Sequence, residues 1–346
     1  MGEVYRDIGQ EPIRLEVREG DDIVGICLAL VVPAKRGRHL SIPYGPVING
    51  KWKMENGKSI LELLLRELMK IAKEHRCAFI RMSPFLPAEA PSGAKAGWPP
   101  QGAVDSPLHL LAEHVWYLPL VTPDPWQSKH SPLPLTGEGP GVRAEEDILM
   151  QMRKTTRNLI RRAEKEGVEI VASPDPVKDV EAFIALHDET RKRHHFTPYS
   201  NAFFRSQVHH FGARGECTVY LARYQGEIIA SSIHMHVNGE TSYHHGASTQ
   251  KHAKIPSSYL LQWTAIRDAL KRGDSIYNFW GIAPLGDQQS TSSPSPKSHP
   301  FAGVTLFKTG FGGAALPLVH CMDFPLSPFY TLTRIFEHAR RWRRGF

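Results

Sequence analysis

No apolar run among the 346 residues approaches the ~20 that a bilayer-spanning helix requires, which excludes a helical integral membrane protein. The first ten residues, MGEVYRDIGQ, mix acids and bases with no apolar stretch, so they do not read as a secretory signal. Cysteine is scarce: Cys27, Cys77, Cys217 and Cys321 stand far apart in apolar or strand-like surroundings, and no C-x-x-C pair occurs. That usage supports neither a disulfide framework nor a cysteine metal site, and fits reduced core residues of a cytosolic protein. No internal repeat is visible residue by residue. Charge of one sign does not dominate either, since 42 Lys and Arg against 35 Asp and Glu leave a net +7. This surplus suits polyanions such as nucleotide diphosphates, RNA or anionic lipid without choosing among them.

What is present is an ordinary globular composition, 41% hydrophobic and 22% charged, over a length sufficient for two cores of usual size. Strands are expected in PIRLEVREG, IVGICLALVV and HLSIPYGPVI within 11–48. A helix over 58–75 follows, with Leu61, Leu64, Leu65, Leu68 and Ile71 on one stripe. Strands CAFIRMSPF and HVWYLPLV come next, separated by a Pro/Gly-rich stretch at 87–107. The second half repeats the style, with strands at 217–224, 227–237 and 241–247, a helix at 257–272, and a buried strand in SIYNFWGIAP. Alternating strands and helices with several hairpins predict an α/β (α+β) protein with mixed, mostly antiparallel sheets flanked by helices. Two segments, 123–143 and 284–300, are too rich in proline, glycine and serine to build a core and read as flexible insertions.

Several stretches carry candidate chemistry. One basic helix is expected through ILMQMRKTTRNLIRRAEKEGV, starting after Glu145, Glu146 and Asp147 and ending at Gly167. Ile148, Met152, Leu159, Ile160 and Ala163 form its buried stripe, while Arg153, Lys154, Arg157 and Arg161 stand among the cations that make it either a solvated face or a polyanion surface. Asn238-Gly239 is the preferred two-residue hairpin turn. The register it sets pairs Val237 with Glu240, His236 with Thr241, His234 with Tyr243 and Ser232 with His245. Strand alternation then gathers Ser232, His234, His236, Thr241, Tyr243 and His245 on one polar face, with His244 on the other, so the polar face reads as the floor of a site. The three imidazoles lack a carboxylate or cysteine partner at a recognisable spacing, and no metal is expected. Further on, the apolar run Val304 to Phe307 is expected as an extended segment. It ends on Lys308 and the glycines Gly310, Gly312 and Gly313, a combination that suits close approach to a phosphate or carboxylate, or merely a tight strand corner.

Taken in order, RKTTRNLIRRAEKEGV, ASTQKHAKIPSSYLLQWTAIRDALKRG, YNFWGI and FKTGFGG resemble the FemA/FemB/FemX family of peptidoglycan-bridge aminoacyltransferases, with weaker likeness in LSIPYGPVI and AFIRMSPFLP. The resemblance spans most of the chain. It implies two tandem GNAT-like acyltransferase domains, expected here at 1–122 and 144–346 around the 123–143 insertion. It implies an aminoacyltransferase that moves an amino acid from aminoacyl-tRNA to the stem-peptide amine of a muramyl-peptide precursor, either nucleotide- or lipid-linked. Such an enzyme would be a cytoplasmic monomer without a cofactor, with peripheral contact at the inner membrane surface as an option.

Residue by residue, the likeness points to Lys308 and Tyr243 as catalytic, with no obligatory base. Thr190 and Arg193 match a T-x-x-R that holds diphosphate in the family. His234, His236, His245, Phe307, Tyr44 and Arg81 are the other substrate-binding candidates. Three departures count against a full match: an upstream W-x-x-x-K-like segment is missing, Ser83 stands where some members have an aspartate, and the long helical arm of FemA-like members is absent, which is nearer the FemX type. The acyl-CoA cradle Q/R-x-x-G-x-G/A is found in neither half. The alternatives are an N-acyltransferase using another acyl carrier and a degenerate polyanion-binding module.

Overall fold

A computed structural model describes residues 1–34, 37–48, 59–88, 98–122, 141–194, 199–284 and 299–344. The chain opens with a short helix α1 (Gly2–Asp7) and an antiparallel pair, β1 (Pro12–Glu19) and β2 (Asp22–Val32), joined through Gly20 at positive φ. β3 (His39–Pro43) and the two-residue β4 (Val47–Ile48) both pair with β2. Helix α2 (Ile60–Glu74) starts where Ser59 Oγ accepts the Glu62 amide at 3.3 Å, and it buries Leu61, Leu64, Leu65 and Leu68. These are leucines of the stripe that the 3.6-residue period sets. β5 (Phe79–Ser83) then lies parallel to β3, and β6 (Val104–Asp105) follows.

The chain next builds a second sheet. Its parts are β7 (His114–Pro119), a short ribbon of β8 (Val121–Thr122) and β9 (Gly141–Val142), then α3 (Glu145–Gln151), α4 (Lys154–Lys165), β10 (Glu169–Ala172), α5 (Pro176–His194), α6 (Asn201–Gly212), β11 (Cys217–Tyr224), β12 (Glu227–Val237), β13 (Glu240–Ser248), α7 (Ser257–Arg272), β14 (Ile276–Gly281), α8 (Ala302–Thr309) and β15 (Ala314–Pro317). Finally β16 (Met322–Pro325) inserts between β5 and β6 of the first sheet, and α9 (Tyr330–Arg344) closes the chain.

Two compact units result: a terminal unit of Gly2–His114 with His299 and Leu316–Phe346, and a central unit of Val115–Pro284 with Pro300–Ala315. Their sheets run β1-β2-β3-β5-β16-β6 and β10-β11-β12-β13-β14-β7-β15, each mixing parallel and antiparallel pairs. The expected strands and helices of both halves are present, apart from the basic helix and the run before Lys308. The division differs from the expected one, because HVWYLP serves the central sheet beside β14 and the chain from Leu316 onward returns to the terminal unit. Backbone pairing over such sequence separations leaves no local mark. Of the segments 123–143 and 284–300, read as insertions, residues 123–140 and 285–298 lie outside the described residues.

In the central unit α7 covers one face of the sheet, packing Leu260, Leu261, Trp263 and Ile266 into a core with Tyr220, Ala222, Ala230, Tyr277 and Phe279. Helices α5 and α6 cover the other face. Two expectations fail here. The single basic helix is two, broken at Met152 and Arg153, whose backbones are extended. The run before Lys308 is helix α8, not an extended segment.

Candidate acyl-transfer site

The site grows from a disagreement between two parallel strands. β13 and β14 pair through Glu240–Ile276, Thr241–Tyr277 and Ser242–Asn278, and their ladder ends there although both strands continue. Each carries an extra residue within the next two positions. His244 is unmatched between Tyr243 and His245 against β12, and Phe279 is unmatched between Asn278 and Trp280 against β7. Bulges sharpen local twist and turn strands apart, so the pair opens into a gap. Trp280, beside the second bulge, is held at φ +67, an uncommon conformation for a bulky side chain, with its amide donating to Asn278 Oδ1 at 2.7 Å. Its ring stands edge-on to His244, centroids 4.9 Å apart.

Helix α8 delivers a cation into this gap. Lys308 is 7% exposed. Its Nζ donates to the carbonyl of Gly281 at 2.6 Å, at the end of β14, and lies 5.8 Å from the centre of the Tyr243 ring on β13. Lys308 therefore bridges the strands where their ladder has stopped. Burial brings its pKa down to about 7. The helix is pinned by Thr305 Oγ1, which accepts the Ala283 amide, and by Arg153, which donates to Leu306 O and Thr309 Oγ1. Tyr243, whose pKa burial raises to about 12, remains a neutral phenol. A Cβ at Gly246 would fall 1.8 Å from its hydroxyl, so that glycine makes room for Tyr243.

The register predicted from Asn238-Gly239 holds from Val237–Glu240 to His234–Tyr243, then fails at the His244 bulge, where Ile233 rather than Ser232 faces His245. His245 thereby joins the opposite face, against Phe183 and Phe204, with its pKa held well below the usual histidine range by burial and then by His244. The polar face is not an open floor. Ser232, His234, His236 and Thr241 are buried, with His234 at 0% exposure. A chain of bonds satisfies them: Ser232 Oγ to His234 Nδ1, His234 Nε2 to Tyr277 Oη at 2.8 Å, and Tyr277 Oη to Gln262 Oε1 at 2.7 Å. His234 stacks on Tyr243 with centroids 5.4 Å apart, and burial, followed by His236, keeps it neutral. It underlies Tyr243 and supports it from beneath. His236, lowered to about 4 by burial, is tied to Thr218 and Thr241 away from the gap.

The remaining candidates scatter. Phe307 packs edge-on to Tyr259 and Phe311 as part of the core. Arg81, expected on substrate, is 5% exposed and occupied by two carboxylates, bidentate to Asp323 at 2.8 Å and paired with Glu337 at 2.7 Å. Tyr44, in the same terminal unit, donates to Ala112 O at 3.1 Å. The Arg193 side chain lies outside the described residues; Thr190 Oγ1 is within bonding distance of Leu186 O and Ser248 O. On α4, Arg157 caps the carbonyls of Met150 and Met152, and Lys154 and Arg161 are exposed, while Arg153 just before the helix holds α8. The glycine cluster serves packing: a Cβ would meet Thr156 Oγ1 at 2.5 Å from Gly310 and Tyr117 O at 2.1 Å from Gly313, which has φ +97. Trp280, Gln262 and Tyr277 were not foreseen as parts of this site; the bulges that place Trp280 have no signature in one sequence.

Residues 150–289 match the family model described as an acetyltransferase (GNAT) domain. Aminoacyltransferase FemA of Staphylococcus epidermidis is 20% identical over 408 aligned residues, spanning 96% of this chain and 91% of that protein. The crystal structure of FemX superposes with a TM-score of 0.73 at 15% identity, covering 97% of this chain and 92% of its own. Over nearly its whole length the chain is similar to Fem-type aminoacyltransferases, with the GNAT match at its centre. The C-terminal domain of a putative lysylphosphatidylglycerol synthetase from Agrobacterium fabrum shares the fold more distantly, with a TM-score of 0.57 at 14% identity over 98% of this chain and 91% of that one. The opened strand pair with Tyr243 and Trp280 falls within the matched GNAT segment, and Lys308 on α8 lies beyond its end.

Proposed function

We propose that this acyltransferase moves an aminoacyl group from aminoacyl-tRNA to the stem-peptide amine of a muramyl-peptide precursor, forming a peptidoglycan bridge. The observation that carries the reading is the Lys308 ammonium, buried where β13 and β14 part and bonded to Gly281 O. An amine attacks the ester carbonyl of the charged tRNA, the new C–N bond forms, the C–O bond to ribose breaks, and one proton of the amine passes to the departing ribose oxygen. The negative charge that gathers on the carbonyl oxygen needs a fixed donor, and a cation in a water-poor gap is worth far more there than in bulk water. Lys308 supplies that cation, and the Tyr243 hydroxyl, braced by His234 and Gly246, supplies a neutral donor beside it. The exposed Lys154 and Arg161 of α4 are the remaining cations for the tRNA backbone, and Arg193 those for a diphosphate.

A lipid-linked acceptor would bring the protein to a membrane, and α9 has the surface for it. Leu332, Ile335 and Trp342, the last 87% exposed, recur on the side away from buried Tyr330 and Thr333, and Arg340 and Arg341 stand in the last turns of the same helix. Such a basic amphipathic helix fits an anionic lipid interface. No described helix is long and apolar enough to cross a membrane. The direct test incubates the purified protein with mixed charged tRNA, or with acyl-CoA, and a muramyl-pentapeptide acceptor, and weighs the product by mass spectrometry. A single aminoacyl increment only with charged tRNA is the expected result; an increment only with acyl-CoA, or none with either, refutes the donor assignment.

A further inference from the structure

The terminal unit gathers a second set of reactive side chains that acyl transfer does not use. His109 and Glu113 stand four residues apart in an irregular segment, and His320 leads into β16. Nδ1 of each histidine lies 2.9 Å from the same carboxylate oxygen, Glu113 Oε2, and one donor atom from each residue lies within 4.8 Å of the others. Two of the three are oriented from behind. His320 Nε2 is 2.9 Å from Ser106 O, so its N–H is committed to that carbonyl, and Glu113 Oε1 accepts the Cys321 amide at 2.8 Å.

That arrangement has a chemical consequence. With the Nε2 hydrogen of His320 given to Ser106, Nδ1 turns a lone pair toward a carboxylate oxygen unless a cation stands between them. His109 directs a second imidazole nitrogen at the same oxygen. The cation is either a set of protons or one metal ion. Two imidazoles and one carboxylate are the donors of zinc and its neighbours in the first transition row, and outer bonds from a ligating histidine to a carbonyl are the usual way such ligands are aimed. A tetrahedral ion at about 2.0–2.1 Å from each donor spaces donors about 3.3 Å apart, so the widest separation here has to shrink. His109 can provide that movement, since its side chain is 47% exposed, and the same exposure leaves a fourth position for water. His114 and His299 are near enough to feel the charge of His109, which enriches the same corner in imidazole.

We propose that His109, Glu113 and His320 bind one divalent transition-metal ion, zinc foremost, which clasps the 106–113 segment to the strand that threads between β5 and β6. The ion replaces the protons shared by the two imidazoles and the carboxylate. This site is independent of the acyl-transfer reading.

The test uses the full-length protein, freed of metal with a chelator that is then removed, and titrated with Zn²⁺ by calorimetry and with Co²⁺ by visible absorbance. The expected result is one ion per chain, tetrahedral cobalt bands, and a melting temperature raised by several degrees at saturating zinc. His109→Ala, at the exposed ligand, lowers affinity at least tenfold, and His320→Ala and Glu113→Gln do the same. His209→Ala, on the exposed side of α6, leaves it unchanged. Absence of stoichiometric binding overturns the proposal. So does binding that His109→Ala and His320→Ala leave intact, which would assign the ion to other histidines.

Discussion

Replacing Lys308 by methionine separates what the cation does for chemistry from what it costs the fold. Its pKa of about 7, against 10.5 for a free lysine, means that folding below neutral pH keeps a charge in a poorly solvated place. The sign follows from proton binding: between the two values the unfolded chain binds the proton and the folded chain does not, so stability rises with pH there and the penalty is fully present below pH 7. At 1.36 kcal/mol per pH unit this penalty reaches up to about 5 kcal/mol in acid and vanishes near pH 10.5. The substitution also strands the Gly281 carbonyl, now bonded by Nζ at 2.6 Å, at a cost of about 1–3 kcal/mol at every pH. Lys308→Met is therefore expected to be more stable than wild type by roughly 2–4 kcal/mol at pH 6 and less stable by up to about 2 kcal/mol at pH 10. Urea unfolding of both proteins across that range, with transfer assayed on the same samples, reads both effects. Equal stability at pH 6, or a difference that does not change sign with pH, refutes the buried-cation argument. Retained transfer by the methionine variant refutes the catalytic role.

Four further outcomes follow from the geometry. Lys308→Arg keeps a charge that does not titrate, so if the cation stabilises the oxyanion, the loss of transfer rate as pH rises through about 7 in wild type moves above pH 9 in the variant; an unmoved alkaline limb counts against that role. Gly246→Ala places a Cβ on the Tyr243 hydroxyl, and transfer should drop at least tenfold, about 1.4 kcal/mol, with the far-ultraviolet spectrum unchanged; wild-type rates would remove Tyr243 from the site. Arg81→Met leaves the Asp323 and Glu337 carboxylates without their shared partner and should destabilise the protein by about 3–5 kcal/mol in urea, whereas a loss under 1 kcal/mol would show the pair to be dispensable. Replacing Leu332, Ile335 and Trp342 together by serine should abolish flotation with phosphatidylglycerol vesicles and leave the melting temperature within about 2 °C; undiminished flotation would clear α9 of that role.

The balance of what the sequence disclosed has a physical basis. Elements set by local rules were legible: the leucine stripe of α2 follows from a helical period, and the Asn238-Gly239 turn carried four residues of correct register on each side. The register broke one residue beyond Tyr243, because a bulge is decided by what the strand packs against and not by the strand. The same limit explains β16, inserted beside β5 across more than two hundred residues, and Arg81, whose carboxylate partners sit at 323 and 337. Lys308 was picked out by its place before a glycine cluster, yet for a reason the structure replaces: the glycines pack against Thr156 and Tyr117. The signal that would have favoured burial was the run itself. Phe307, Lys308 and Phe311 fall at i, i+1 and i+4, so on a helix the lysine shares the side that meets the core. A lysine placed there is costly for folding, and so costly a position is itself an argument for use. Where a strand pair has been prised open by two bulges, and one of them holds a tryptophan at φ +67, the fold has spent stability at a single spot from two directions. The lysine in that opening is where the chemistry should be sought.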